Sequence, residues 1–386
     1  MQPISHKNRI QGSVEPEQQR PENSQQPSVE HEGESNSSAE GDAHRLRNGV
    51  IWTVALGVMF LAIGFAVPDL RDVLDRVAHA HAGWLVLAVG LEVASCLGYV
   101  AVVRLVIGDA RPRDVRRLAW AEQAFGAVVP VGGAGGLAVG AWAMRAWGFT
   151  WSRIVNRSAV IFLLTSAVNG AVMVLAGLGV WAGIGTHHSG PLYGLVPAAA
   201  TALALGAFSV TPLLARRVGP EPGPLGSLIV RVASWVRETA SAATGGDWRV
   251  LGSITYLLFD IAVLWACLRA VGASVPLLAL VVGYQVGYLA NLVPIPGAIG
   301  VLEGGLLGAL VLYGLPAEPA AAAVVMYHAV ALWVPTLGGT VSFVRLRKTV
   351  PARGRGLAPV AAKDAEEAKA PDNVARLPSG PRELAA

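Results

Sequence analysis

Several stretches of this chain run for about 20 residues with almost no charge, enough to cross a hydrocarbon core as a helix. In lipid every backbone polar group must be satisfied within the protein, so such runs fold as helices packed on helices. Apolar residues make up 53% of the 386 residues and charged residues only 15%, against about 25% in soluble domains. The class this implies is an all-α polytopic membrane protein. Thirty Lys and Arg against 26 Asp and Glu leave a net charge of +4, too small a surplus to argue for nucleic acid. Cys96 and Cys267 both fall inside apolar runs and read as inert core residues.

The apolar runs predict about six full spans: 49–67, 83–107, 158–182, 193–214, 250–271 and 320–343. Glu92 interrupts the second and reads as a carboxylate hydrogen-bonded to a neighbouring helix. Asp260 is embedded in the fifth. Residues 1–47 and 349–386 are polar and charged and read as disordered cytoplasmic segments, without a signal peptide near Met1. Residues 48–217 hold the first repeat described below and the start of the second, 218–248 form a loop, and 249–348 complete the second repeat. In the loop, Leu228, Ile229, Val232, Trp235 and Val236 share one side of a possible amphipathic helix. It reads either as a cytoplasmic helix lying on the membrane or as a solvated loop helix.

Arginines set the orientation. Arg45 and Arg47 precede the first span, and Arg111, Arg113, Arg116 and Arg117 follow the second. Arg216 and Arg217 follow the fourth, and Arg345, Arg347 and Lys348 follow the last. Such clusters favour the cytoplasmic side and place both termini there, in a plasma-membrane protein. His187 and His188 lie in a short turn expected outside, and read as exposed rather than metal-binding.

Two further apolar regions, 119–148 and 277–315, are broken in the middle. Pro130, Pro294 and Pro296 cannot continue a helix, and Gly133, Gly136, Gly297 and Gly300 permit tight turns and close approach. Val129–Gly136 aligns without gaps on Val293–Gly300, with Pro130 on Pro294, Gly133 on Gly297 and Gly136 on Gly300. The order of span, span, broken hairpin and span then occurs twice. With the arginine clusters as guide, the first hairpin opens from the cytoplasm and the second from outside. That is an inverted-topology repeat, an arrangement transporters use for alternating access, with substrate near the midplane between the breaks. Whether the hairpins are re-entrant or cross fully stays open.

A half-helix starting after such a break aims free N–H groups and a positive dipole end at it, a natural seat for phosphate or carboxylate. Arg145 and Arg157 follow the first break and can add a direct charge. Glu303, in the first turn after the second break, and Asp260 can balance an amine, pair with an arginine or carry a proton. His328 in the last span can titrate near neutral pH. The residues assigned to a substrate site are Pro130, Gly133, Gly136, Arg145, Arg157, Pro294, Pro296, Gly297, Gly300, Glu303 and His328. No metal spacing, nucleophile–base arrangement or Walker-type loop stands out, so no catalytic residue, metal or cofactor is assigned.

Pro294-Ile-Pro-Gly-Ala-Ile-Gly-Val-Leu-Glu303, followed by Tyr327-His328, resembles the lysylphosphatidylglycerol synthase transmembrane family of flippase-like membrane proteins. The first break with Arg145 and Arg157 is similar to that family's N-terminal half. The resemblance implies a flippase or accessory protein of lipid-linked envelope chemistry, acting on membrane lipids and not on nucleic acid. Leu302 and His328 stand where the family often has arginine, which leaves the head group open. The family's synthase reaction resides in a separate soluble domain, for which the tail after Arg347 has no room. The function expected is translocation or binding of an anionic or zwitterionic lipid, glycosylated and aminoacylated lipids included. The alternatives are a non-transporting membrane partner of a lipid- or envelope-modifying enzyme, such as one of envelope biosynthesis, or a membrane enzyme acting on a lipid phosphate with Glu303 or His328 as acid or base. The lipid, the coupling ion and the oligomeric state are not legible.

Overall fold

The computed structural model describes residues 68–129, 133–184, 192–219, 223–289 and 301–350. The first apolar run, both terminal segments, His187 and His188 lie outside the described residues, as do Pro130, Pro294, Pro296, Gly297 and Gly300.

The described residues form eleven α-helices and no strand. They are α1 (Pro68–Ala78), α2 (Ala82–Val106), α3 (Pro112–Val128), α4 (Ala134–Ala146), α5 (Trp151–Trp181) and α6 (Leu192–Ala215). The amphipathic loop segment is α7 (Pro224–Thr244). A 3-10 turn at Trp248–Val250 leads into α8 (Leu251–Ala270), followed by α9 (Leu277–Leu289), α10 (Val301–Leu312) and α11 (Ala317–Thr349). Five of these helices are long and apolar enough to span a bilayer: α2, α5, α6, α8 with its leading turn, and α11. Their outward faces are apolar: Phe162, Leu175, Leu203 and Leu337 are all exposed, as lipid contact requires.

Local chemistry accounts for the boundaries. Pro112 and Pro224 sit in the first turns of α3 and α7, where the missing N–H costs nothing. The hydroxyl of Thr150 caps α5 by accepting from the Arg153 N–H. Gly133 enters α4 at φ 78°, a conformation that disfavours any side chain with a Cβ. Two helices exceed their predicted spans. α5 begins at Trp151 rather than 158, and α11 extends to Thr349 through the basic cluster. Charged ends of a helix can continue past the apolar core and reach water.

The two broken regions are pairs of short helices, α3 with α4 and α9 with α10. Helix boundaries recur along the chain. The ends of α2 and α8 are 164 residues apart, and the starts of α3 and α9 are 165 apart. The starts of α4 and α10 are 167 apart, and those of α5 and α11 are 166 apart. Packing follows the same correspondence, with an exchange. α3 of the first hairpin packs on α11, and α9 of the second packs on α5. The helices α1 and α7 dock on corresponding helices, α1 on α11 and α7 on α5 as well as on α6. Arg76 of α1 donates to Glu318 at 2.6 Å. On the other helix pair, Trp235 and Glu238 of α7 bond Asn156 and Arg157 of α5.

Two apolar clusters result. One gathers around α9, α10 and the first half of α11, the other around α3, α4 and the second half of α2. On α2 they meet between Ala88 and Val100, the stretch that carries Glu92, Ser95 and Cys96.

Candidate functional site

The site is set by the crossing of α2 and α8. The helices run antiparallel: the N–H of His81 donates to Ala270 O at 3.0 Å, Trp84 meets Trp265 edge-on at 5.2 Å, and Ser95 Oγ donates to Tyr256 O at 2.9 Å. Glu92 lies three residues before Ser95, and Asp260 four residues after Tyr256. In an antiparallel pair both moves go one turn in the same direction, so the two carboxyls face each other, as electrostatic neighbours. Each sits near the middle of its helix.

Their surroundings differ. Asp260 accepts from the hydroxyl of Tyr327 on α11 at 3.1 Å and from the hydroxyl of Tyr284 on α9. The two rings meet edge-on at 6.2 Å. Glu92 is 6% exposed and takes one contact, from the thiol of Cys96 one turn along its own helix at 3.7 Å. Its Oε2 has no hydrogen-bond partner among the described residues. The expectation that a neighbouring helix would satisfy Glu92 is therefore corrected: the helix opposite presents another carboxylate instead of a donor. Next to this cluster, Gln285 on α9 is buried and donates to Asn169 O on α5 at 3.0 Å, tying the second hairpin to α5.

A further buried carboxylate belongs to the first hairpin. Glu122 of α3 accepts from Tyr99 of α2 at 3.1 Å. The backbone of α4 closes over it at Gly140, where a Cβ would lie 2.3 Å from Glu122 Oε1. Gln123 beside it donates to Cys96 O and Ala119 O. These contacts lock α3 to α2 and α4.

The described residues among those predicted from sequence lie on four helices, α4, α5, α10 and α11. Gly133 opens α4, and Gly136 lies against Glu122 O of α3, close enough to exclude a side chain. Arg145 closes the end of α4 by donating to Phe149 O at 3.0 Å and lies over the Trp151 ring at 5.2 Å. Cations at a helix C-terminus complement its dipole, so this contact serves the helix end. Arg157 donates to Glu238 Oε1 at 3.2 Å and to Asp109 Oδ2 at 3.4 Å, and Asp109 also accepts from Arg153. That network joins the α2–α3 loop, α5 and α7 at the arginine-rich end of the bundle. His328 follows Tyr327 on α11, half-buried, with the two rings 5.1 Å apart. Glu303 falls in the first turn of α10, and its side chain lies outside the described residues.

Sequence reasoning missed Glu92, Tyr284, Glu122 and Tyr99 as site residues and ranked Asp260 low. A carboxylate inside an apolar run was the available signal, since burying it costs several kcal/mol and marks function by default. The tyrosines gave none, because a tyrosine in a span reads equally well as an interface anchor. Among the described residues no group of three His, Cys, Asp or Glu is placed to hold a metal.

The chain belongs to the family described as the lysylphosphatidylglycerol synthase TM region, which matches residues 50–339. That region is membrane-embedded and lipid-related. A UPF0104 membrane protein of Methanothermobacter thermautotrophicus is 37% identical over 86 residues, which is 22% of this chain and 24% of that protein. The similarity thus spans about a quarter of that relative's length.

Proposed function

We propose that this chain translocates a membrane lipid by alternating access between two halves of inverted topology. The observation that carries this reading is the exchange of hairpins: α3 of one half packs on the last helix of the other, and α9 packs on α5. A pair that rocks against its partner half can then expose the centre first to one side and then to the other. The recurrence of helix boundaries at a near-constant spacing supports the repeat. Opposed parity of the two hairpins follows from the arginine-rich end, which collects Arg113, Arg153, Arg157, Arg249 and Arg347 and is assigned to the cytoplasm of a plasma-membrane protein.

The substrate is an anionic or zwitterionic lipid, glycosylated and aminoacylated lipids included. Its head group sits between the two breaks, with phosphate favoured by the helix starts and Glu303 near the second. Membership in a family named for a lipid-related transmembrane region supports a lipid as substrate. Native mass spectrometry of the gently purified protein, wild type beside Glu303→Gln, tests the site. A defined lipid retained by wild type and lost by the variant is expected. The same bulk lipid on both proteins would contradict a head-group site at the second break.

A further inference from the structure

We propose that the Glu92–Asp260 pair is a single-proton binding site whose loading and release drive the helix movements of translocation. The proposal rests on the translocation reading for what the proton drives, and on the geometry of the pair for where it binds.

Two carboxyls share the α2–α8 crossing, one turn from the Ser95–Tyr256 contact, and neighbouring like charges oppose full ionisation of both. Asp260 has two phenolic donors, Tyr284 and Tyr327, arranged to hold an anion. Glu92 has only the weak Cys96 thiol, and its Oε2 is buried with no partner among the described residues. An acceptor oxygen without a donor is costly in this setting, whereas a protonated carboxyl carries no charge and supplies a donor of its own. The proton therefore bonds to Glu92 Oε2, leaving Asp260 as the charged partner. On release the O–H bond breaks, water carries the proton away, and no other reactant is needed.

The groups around the pair are consistent with this division. α2 contributes Cys96, and α8 contributes Cys267. α9 contributes Tyr284, and α11 contributes Tyr327 with His328 one residue on. Glu122 on α3 is held separately, by Tyr99. Beyond Arg157, α5 carries no ionisable side chain. The turn before α8 carries Arg249, which pairs with Asp247 at 3.6 Å. No described basic side chain forms an ion pair with Glu92 or Asp260.

Loss of the proton places two negative charges across the α2–α8 contact, and they are relieved only if water reaches them. The same four helices that meet at the pair, α2, α8, α9 and α11, include one hairpin helix and the partner of the other. Protonation thus favours the closed crossing, and deprotonation favours a state open to water.

Infrared difference spectroscopy of the protein in proteoliposomes, stepped through pH, reads the site without any lipid movement. A protonated-carboxyl band that titrates in wild type should vanish in Glu92→Gln and persist in Glu122→Gln, with melting temperature confirming that both variants fold. A band that survives Glu92→Gln, or no titrating band, overturns the proton site. With the lipid found by mass spectrometry, an imposed pH gradient should shift its steady-state leaflet ratio by up to about tenfold per pH unit for one proton per lipid. The shift should collapse with a protonophore and be absent in Glu92→Gln. Lipid movement that ignores the gradient overturns the coupling. A protein that titrates yet moves no lipid overturns the translocation reading and leaves the proton site standing.

Discussion

Gly98 of α2 and Gly252 of α8 bring their backbones into direct contact. A Cβ on Gly252 would lie 2.5 Å from Gly98 O, and one on Gly98 would lie 2.6 Å from the Tyr256 nitrogen. This close approach holds the carboxyl pair at a fixed register, since small residues are what let membrane helices meet backbone to backbone. Gly98→Val must push the helices apart and should cost roughly 1–3 kcal/mol. Gly90→Ala, on the open side of the same helix, meets nothing within 4 Å and should be neutral or up to about 1 kcal/mol stabilising. Thermal melts in detergent check both. A Gly98→Val protein as stable as wild type would contradict the crossing.

Tyr327→Phe deletes one hydroxyl donor to Asp260 and leaves the ring in place. A hydrogen bond to a charged group is worth about 1.5–3 kcal/mol, so the melting temperature should fall. Tyr284→Phe should act in the same direction. The double variant should differ from the sum of the singles, because both serve one carboxylate. Strict additivity in a double-mutant cycle would show that the two hydroxyls do not share Asp260.

Much of the bundle was legible because hydrophobic length is a local signal. The spans at 83–107 and 193–214 match α2 and α6 to within a residue. The Pro and Gly clusters marked both breaks, since the loss of a backbone donor shows in the sequence itself. The pairing of Glu92 with Asp260 was not legible. It depends on the register of two helices about 170 residues apart, fixed by Gly98 and Gly252 among many other glycines. Arg145 and Arg157 show the same limit from the other side. Their charge suggested phosphate, but what each touches depends on Phe149, Asp109 and Glu238, which only the fold brings near.

Arg157→Ala should release α7. The ion pairs to Glu238 and Asp109 are partly exposed, so the global cost should be about 1 kcal/mol or less, and smaller at high salt. Locally, α7 keeps the bond from Trp235 to Asn156 at 2.8 Å but loses its charged anchor. Hydrogen exchange should therefore quicken in Pro224–Thr244 with little change in α8. Unchanged exchange in α7 would mean that its apolar contacts with α5 and α6 suffice.

Translocation requires that lipid cross the bilayer through this bundle. The direct measurement reconstitutes the protein in vesicles with a head-group-labelled form of the lipid it retains. The label reaching the opposite leaflet is then followed by quenching from one side. Movement well above that in protein-free vesicles, abolished by Glu303→Gln in a protein that still melts as wild type does, is the predicted result. Movement no faster than in protein-free vesicles, with the lipid still bound, would contradict translocation.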